Sequence, residues 1–289
     1  MPKYEKYQKA VYISLLLVIL GGSCIAINKV SYGIAGFLVW QFFSGQYHGG
    51  NYAEVNGIRL YYETYGEGPP VLVLHGGTAF IETMHYQIQA LAKNHRVIAP
   101  DSRGHGRTSD SAAALSYRQM AEDMRELLSQ LGINKVDIVG WSDGGNIGLF
   151  IAREEPTLVN HLVTIGSNYH FMGFDSAYGG LAPDSETFES SKMVYEWLSP
   201  EPSHWPVFFE KVMGMWKTQP TFQAEDLAVI QAKTMIMAGE FDAILTEHTQ
   251  SMAAAIRGAR LEILKGGDHD IAMDMYDKVN ALMIDFLAD

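Results

Sequence analysis

Short apolar runs alternate with helix-patterned stretches along most of this 289-residue chain. The apolar runs are rich in Val, Ile and Leu, which is the pattern of strands buried on both faces of a sheet. They cover residues 70–74, 96–99, 136–139, 161–165, 234–239 and 260–264. Between them, apolar residues recur at helical spacing, as at Met120, Met124 and Leu127. The alternation predicts an α/β fold, with a mostly parallel sheet and helices on both faces.

Turn and cap signals predict two further elements. Asn56-Gly57 is a two-residue turn of the kind that joins antiparallel strands, and it predicts a hairpin over residues 52–65. Ser116 and Gln119 have the spacing of a capping box, which predicts a helix that begins just after Ser116.

Roughly sixty residues with little strand character separate the run 161–165 from the run 234–239, which is long for a structureless loop in a compact domain. This stretch contains helix-like segments at 185–198 and 204–217 and is rich in Met and aromatic residues. We expect most of these side chains to pack against the main domain and a few to line an apolar pocket.

The first 50 residues have a different pattern. Residues 11–27 form an uncharged apolar run that is just long enough to span a bilayer, and three lysines and one glutamate precede it. We predict a membrane anchor there. A second apolar stretch, 30–43, is too short and too interrupted by glycine for a span, but Trp40, Phe42 and Phe43 would suit the membrane interface. The chain therefore divides into an anchor or signal segment at 1–50 and a globular domain at 51–289.

Two alternatives stay open for this segment. A basic stretch followed by an apolar run is also the pattern of a cleaved signal peptide, after which the domain would be secreted. A lipoprotein signal ending at Cys24 is disfavoured, because Gly21 occupies the position where an aliphatic residue is usual. Three lysines before the run and one after it predict a cytoplasmic N-terminus and an extracytoplasmic domain.

Charge separates the same two parts of the chain. Residues 1–50 carry four basic groups and one acidic group, whereas residues 51–289 carry 17 basic and 32 acidic groups. So acidic a domain is a poor candidate for nucleic-acid binding and is repelled by anionic lipid. Attachment to a membrane would therefore depend on apolar side chains.

A Gly-x-Ser-x-Gly motif follows the run 136–139 directly and precedes a helix-like stretch. It consists of Gly140, Trp141, Ser142, Asp143 and Gly144. This is the pattern of a nucleophile elbow, a strained strand-to-helix turn that exposes the serine oxygen. A glycine-rich turn with an incidental serine is the alternative, and the order of the other site residues distinguishes the two.

An acid and a base follow in the order that acyl transfer on such a sheet requires. Asp242 and His269 each lie just past the end of a predicted strand. Because the carboxyl ends of parallel strands meet at one edge, we expect both side chains to lie near Ser142.

With these motifs the chain resembles the α/β-hydrolase superfamily, in particular its smaller serine esterase, enol-lactonase and C–C hydrolase members. The resemblance covers residues 52–289 and rests on motifs at 75–77, 101–109, 140–145, 239–242 and 267–269. It implies that Ser142 is the nucleophile, His269 the base and Asp242 the orienting acid. Epoxide hydrolases and haloalkane dehalogenases of this fold have an aspartate where this chain has Ser142, which argues against both.

The resemblance also implies an oxyanion hole and a cap. The backbone N–H groups of Gly77 and Asp143 would stabilise the oxyanion, with Thr78 as the alternative to Gly77. Residues 167–230 would form a helical cap insertion over the site.

Other residues compete for the three roles. Glu240 is an alternative acid, and His248 is an alternative base in the first turn of a predicted helix. Two aspartates flank His269 and are expected to raise its pKa. Together with the histidine they could also be metal ligands, but no second His or Cys cluster supports a closed site. We expect no metal and no cofactor.

The implied activity is hydrolysis of a carboxylic ester or lactone with an apolar acyl group, through an acyl-enzyme. Hydrolysis of a C–C bond or of a peptide bond is equally compatible with the resemblance. A ligand receptor built on the hydrolase fold is an alternative from another class, since some such receptors keep their triad. The expected partners are a small-molecule substrate and a membrane, and not a nucleic acid.

Overall fold

A computed structural model describes residues 29–175 and 186–289 of the chain. Its centre is an eight-stranded sheet with the order β1-β2-β4-β3-β5-β6-β7-β8. The first two pairings in this order are antiparallel and the others are parallel. The strands are β1 (Tyr47–Val55), β2 (Ile58–Tyr65), β3 (Pro70–Leu74), β4 (Arg96–Pro100), β5 (Val136–Trp141), β6 (Val159–Ile165), β7 (Lys233–Gly239) and β8 (Arg260–Leu264).

Helices cover both faces of the sheet, which confirms the predicted α/β-hydrolase fold. They are α1 (Lys29–Phe43), α2 (His85–Leu91), α3 (Tyr117–Gln130), α4 (Asp143–Glu154), α5 (Glu186–Leu198), α6 (Trp205–Trp216), α7 (Ala224–Leu227), α8 (Thr246–Ala255), α9 (Ile271–Asp274) and α10 (Tyr276–Leu287). Of these, α5, α6 and α7 lie between β6 and β7, in the region of the expected cap.

The alternation of side chains along the strands creates two apolar cores. Leu72 and Leu74 of β3 point to the core that contains α3 and α4, whereas Val71 and Val73 point to the core that contains α2 and α10. Successive strand residues face opposite sides of a sheet, so one uninterrupted apolar run supplies both cores.

The predicted hairpin is present, and Ser116 caps α3 with the first of the two hydrogen bonds of a capping box. Asn56 and Gly57 have φ values of 44° and 79°, as a tight hairpin turn requires, and they join β1 to β2. Ser116 Oγ accepts a hydrogen bond of 3.2 Å from the backbone N–H of Gln119 at the start of α3. The hairpin begins at Tyr47, so the division placed at residue 50 falls inside β1 and not between two elements.

Helix α1 packs on the globular domain. Phe37 is buried against Tyr65 and His85, and Gln41 donates a hydrogen bond of 2.8 Å to the Tyr65 hydroxyl. Trp40 stacks on Phe37, with ring centroids 5.6 Å apart, so it faces the protein and not an open interface.

The far side of α1 is apolar and open. Phe42 and Phe43 are 61% and 74% exposed. Within residues 29–175 and 186–289, no helix has the length and apolar character needed to cross a bilayer. The run 11–27, for which an anchor is predicted, lies outside the described residues.

Two buried histidines lie side by side at the edge of the sheet near the site. The rings of His75 and His105 are 5.2 Å apart, and both are almost fully buried. Burial lowers the pKa of His75 to about 4. Burial and the neighbouring His75 lower the pKa of His105 to about 3.

We predict that acid destabilises the fold through this pair. In the unfolded chain the two histidines have a pKa near 6.5, so above that pH they are neutral in both states. As the pH falls from 6.5 towards 4, the unfolded chain binds protons that the folded state excludes, and the free energy of unfolding decreases. Between pH 7.5 and 5.0 each histidine should remove on the order of 2 kcal/mol from the free energy of unfolding. His105→Gln should reduce the difference between the free energies of unfolding that urea titrations give at the two pH values. His48→Gln, at an exposed position, is the control, and equal differences in both variants would contradict the prediction.

Candidate active site

The turn from β5 to α4 holds Ser142 in a strained conformation. Its φ is 52° and its ψ is −118°, values that side-chain-bearing residues rarely adopt. A Cβ on Gly140 would lie 2.3 Å from the carbonyl carbon of Gly144, and a Cβ on Gly144 would lie 2.2 Å from the Leu74 carbonyl oxygen. The two glycines therefore allow the chain to turn tightly enough to expose the Ser142 side chain.

Ser142, His269 and Asp242 form one hydrogen-bonded chain. His269 Nε2 lies 2.9 Å from Ser142 Oγ, and His269 Nδ1 lies 2.7 Å from Asp242 Oδ1. Asp242 is nearly inaccessible, and its Oδ1 also accepts a hydrogen bond of 3.0 Å from the Ile244 N–H. With Asp242 accepting from Nδ1–H, the neutral imidazole presents its Nε2 lone pair to the serine hydroxyl.

The competing acid and base lie elsewhere. Glu240 accepts a hydrogen bond of 2.8 Å from the Gly266 N–H in an exposed turn. His248 stacks on Tyr169 and accepts a hydrogen bond of 3.2 Å from its N–H. Burial and the neighbouring His170 lower the pKa of His248 to about 4. Among the residues that the structure describes, no group of three His, Cys, Asp or Glu side chains is arranged to hold a metal ion.

The electrostatic surroundings of His269 favour its protonated form. Burial alone lowers the pKa of His269, but the hydrogen bond and charge of Asp242, with the charges of Asp270 and Asp143, raise it above the ordinary value. Asp268 is exposed to solvent, its Oδ1 accepts a hydrogen bond of 2.9 Å from the Asp270 N–H, and it is not among the charges that raise the pKa of His269. Of the two flanking aspartates, Asp270 is therefore the one that acts on the imidazole.

Gly77, Thr78 and Asp143 line the same pocket as Ser142. Asp143 is the first residue of α4, so its N–H has no acceptor within the helix and can serve an oxyanion. Gly77 lies close to this residue, because a Cβ there would be 2.4 Å from Asp143 Oδ2. Thr78 has a φ of 55°, which shows how sharply the chain turns after Gly77.

The Asp143 side chain is a part of the site that the sequence analysis missed, since it assigned this residue a backbone role only. Its Oδ1 accepts a hydrogen bond of 2.6 Å from the Tyr117 hydroxyl. The indole N–H of Trp216 lies 3.0 Å from Oδ1 and 2.9 Å from Oδ2. Burial raises the pKa of Asp143, and the hydrogen bonds from Tyr117 and Trp216 oppose that rise.

The pocket in front of Ser142 has a volume of about 400 Å³ and mostly apolar walls. The apolar residues that line it from the cap region and from the loop after β7 are Phe171, Phe174, Phe188, Met213, Trp216 and Ile244. Other cap aromatics, such as Tyr195, Trp205 and Phe208, pack into the core on the α3 side of the sheet. This is the division between lining and packing side chains that the sequence leads us to expect.

Comparison with known proteins identifies the family. The model of the alpha/beta hydrolase family matches residues 71–282. The chain belongs to that family.

This alpha/beta hydrolase is similar to curated and solved relatives, to two of those named here over about four-fifths of its length. It is 27% identical over 247 residues to the serine hydrolase BPHL of Mus musculus. This match covers 81% of the chain and 84% of that relative. It is 39% identical to a soluble epoxide hydrolase of Corynebacterium, over 110 residues and 38% of each protein. The meta-cleavage product hydrolase of Pseudomonas fluorescens superposes with a TM-score of 0.70 at 22% identity, over 82% of the chain and 97% of that structure.

We predict that the pKa of His269 responds to one flanking aspartate and hardly to the other. Asp270→Asn removes a negative charge beside the imidazole and should lower the pKa of His269. Asp268→Asn removes the same charge from a solvent-exposed carboxylate, where water screens it, and it should have a smaller effect. NMR titration of the His269 ring gives its pKa in each variant. Equal changes of that pKa in the two variants would contradict the assignment of the larger effect to Asp270.

Proposed function

We propose that this alpha/beta hydrolase is a serine hydrolase that cleaves a carboxylic ester or lactone through an acyl-enzyme. The observation that carries the proposal is the hydrogen-bonded chain from Ser142 Oγ through His269 to Asp242 at an apolar pocket. Nucleophile, base and orienting acid within hydrogen-bond reach of one another are the signature of covalent acyl transfer.

The proposed reaction has two halves. His269 takes the hydroxyl proton as Ser142 Oγ bonds to the substrate carbonyl carbon, and the backbone N–H groups of Gly77 and Asp143 stabilise the oxyanion. The C–O bond to the alcohol then breaks, and the alcohol oxygen takes the proton from His269. Water, deprotonated by His269, attacks the acyl-enzyme and releases the acid and the free Ser142 hydroxyl.

The walls of the pocket support an apolar acyl or alcohol group as the substrate class. Aromatic and aliphatic side chains form most of the pocket wall and gain free energy by covering apolar substrate surface. A volume of about 400 Å³ suits a small or medium-sized molecule and not a polymer.

Hydrolysis of a C–C bond is the second candidate, supported by the fold shared with the meta-cleavage product hydrolase. A peptidase and a ligand receptor built on the same fold are further alternatives. Fast multiple turnover of an ester would favour the first proposal and exclude the receptor.

We predict turnover of p-nitrophenyl esters with an optimum at one acyl chain length. Ser142→Ala should lower kcat on the order of 10⁴-fold or more, because it removes the hydroxyl that lies 2.9 Å from His269 Nε2. Asp242→Asn should cause a large loss as well, since the amide no longer orients the imidazole. Glu240→Gln is the matched control and should leave turnover unchanged. Turnover that survives Ser142→Ala would sink the esterase proposal and favour the other candidates.

We also propose that the chain is held at a membrane by residues 11–27, with the catalytic domain on the extracytoplasmic side. The exposed Phe42 and Phe43 support this, because α1 begins just after that apolar run in the sequence and presents uncovered aromatic surface at its C-terminal end. A helix that is apolar all round but buries only one face usually meets a second apolar phase.

We expect the full chain to stay with the membrane fraction after a carbonate wash, at its full mass. The double variant Leu16→Lys and Val18→Lys should move to the soluble fraction, because charges inside the run oppose insertion. A soluble wild-type chain of reduced mass would indicate signal cleavage and secretion. A soluble chain of full mass would refute both the membrane anchor and signal cleavage.

A further inference from the structure

Trp216 is the last residue of the cap helix α6, and its indole reaches down to the nucleophile elbow. The ring N–H lies 3.0 Å and 2.9 Å from the two carboxylate oxygens of Asp143, the residue that directly follows Ser142. A cap side chain is thereby hydrogen-bonded to the first residue of α4.

The same indole covers Gly77 on the opposite wall. A Cβ built on Gly77 would lie 2.4 Å from Trp216 Cζ2 and 2.4 Å from Asp143 Oδ2, so ring and carboxylate together close over this glycine. One cap residue therefore touches both residues whose N–H groups would serve the oxyanion.

The main domain holds Asp143 from the other side. The Tyr117 hydroxyl on α3 donates a hydrogen bond of 2.6 Å to Oδ1. Asp143 is buried, so its carboxylate depends on these donors in place of water. A carboxylate fixed between Tyr117 and Trp216 also fixes the peptide plane that carries the Asp143 N–H.

We propose that Trp216 is a positioning residue, whose indole sets the geometry of both oxyanion donors when the cap is docked. Oxyanion donors act within a narrow range of distances, and removing one typically costs roughly 10²- to 10³-fold in kcat, which bounds the effect of misplacing it. The inference rests on the proposed acyl-transfer function, and it assigns the cap a part in transition-state stabilisation in addition to enclosing the substrate.

Trp216→Phe keeps an aromatic wall and removes the N–H donor. We expect kcat for the best ester to fall roughly 10- to 100-fold and KM to change less than about threefold, because the lost interaction matters mainly in the transition state. Trp197→Phe is the matched control on the cap: Trp197 is 57% exposed on α5 and should tolerate the change. A higher KM with unchanged kcat would mean that Trp216 only contacts the bound substrate, and it would overturn the proposal.

A fluorophosphonate probe separates this inference from the proposed substrate class. Ser142 Oγ would bond to phosphorus, the P–F bond would break with loss of fluoride, and His269 would take the serine proton. The developing phosphonyl oxyanion needs the same donors, so labelling of Trp216→Phe should slow about as much as kcat falls. Slower labelling without ester turnover in the wild type would refute the ester proposal alone, whereas labelling at the wild-type rate would refute the positioning role.

Tyr117→Phe tests the same carboxylate without changing the cap. It removes the hydrogen bond from the main-domain side and should also slow labelling, and its effect combined with Trp216→Phe should depart from additivity because both act on Asp143. Unchanged labelling in Tyr117→Phe, with the melting temperature preserved, would contradict the inference even if Trp216→Phe failed to fold.

Discussion

Ser142 has a φ of 52°, and a side-chain-bearing residue keeps such a conformation only where its surroundings enforce it. Here the enforcement is steric and local. The Ser142 N–H donates a hydrogen bond of 2.7 Å to the Ile165 carbonyl at the end of β6. Gly144 packs so closely on β3 that a Cβ would lie 2.2 Å from the Leu74 carbonyl oxygen. Because β3, β5 and β6 are fixed by two apolar cores, the strain at one residue is supported by the whole sheet.

That support determines the electrostatics of the site. The exposed Ser142 hydroxyl lies against an imidazole that has three carboxylates nearby, on Asp242, Asp270 and Asp143. Each of them favours the imidazolium, which is the form that His269 would take in the proposed reaction once it has accepted a proton from the serine. The same charges make the resting base easier to protonate. The site therefore stabilises the charged intermediate state at the expense of activity in acid.

Local signals were sufficient to predict that Ser142, Asp242 and His269 lie together at one edge of the sheet, because this depends on a turn motif and on the shared edge of parallel strands. The role of the Asp143 side chain could not be predicted. Its partner Trp216 is 73 residues away, and only the packed cap brings them together. The docking of α1 was missed for a similar reason: its contacts through Phe37 and Gln41 depend on tertiary packing against Tyr65.

The identity of the nucleophile also limits what the chain shares with its epoxide-hydrolase relative, which matches over 38% of each protein. A serine oxygen that attacks an epoxide carbon would form an ether, and His269 with a water molecule could not hydrolyse it. The same oxygen attacking a carbonyl forms an ester, which water cleaves by the reverse of the first step. Under the proposed acyl-transfer function, with Ser142 as the nucleophile and His269 2.9 Å away, turnover requires a substrate that forms a hydrolysable acyl-enzyme. Carbonyl compounds satisfy that condition, and epoxides do not.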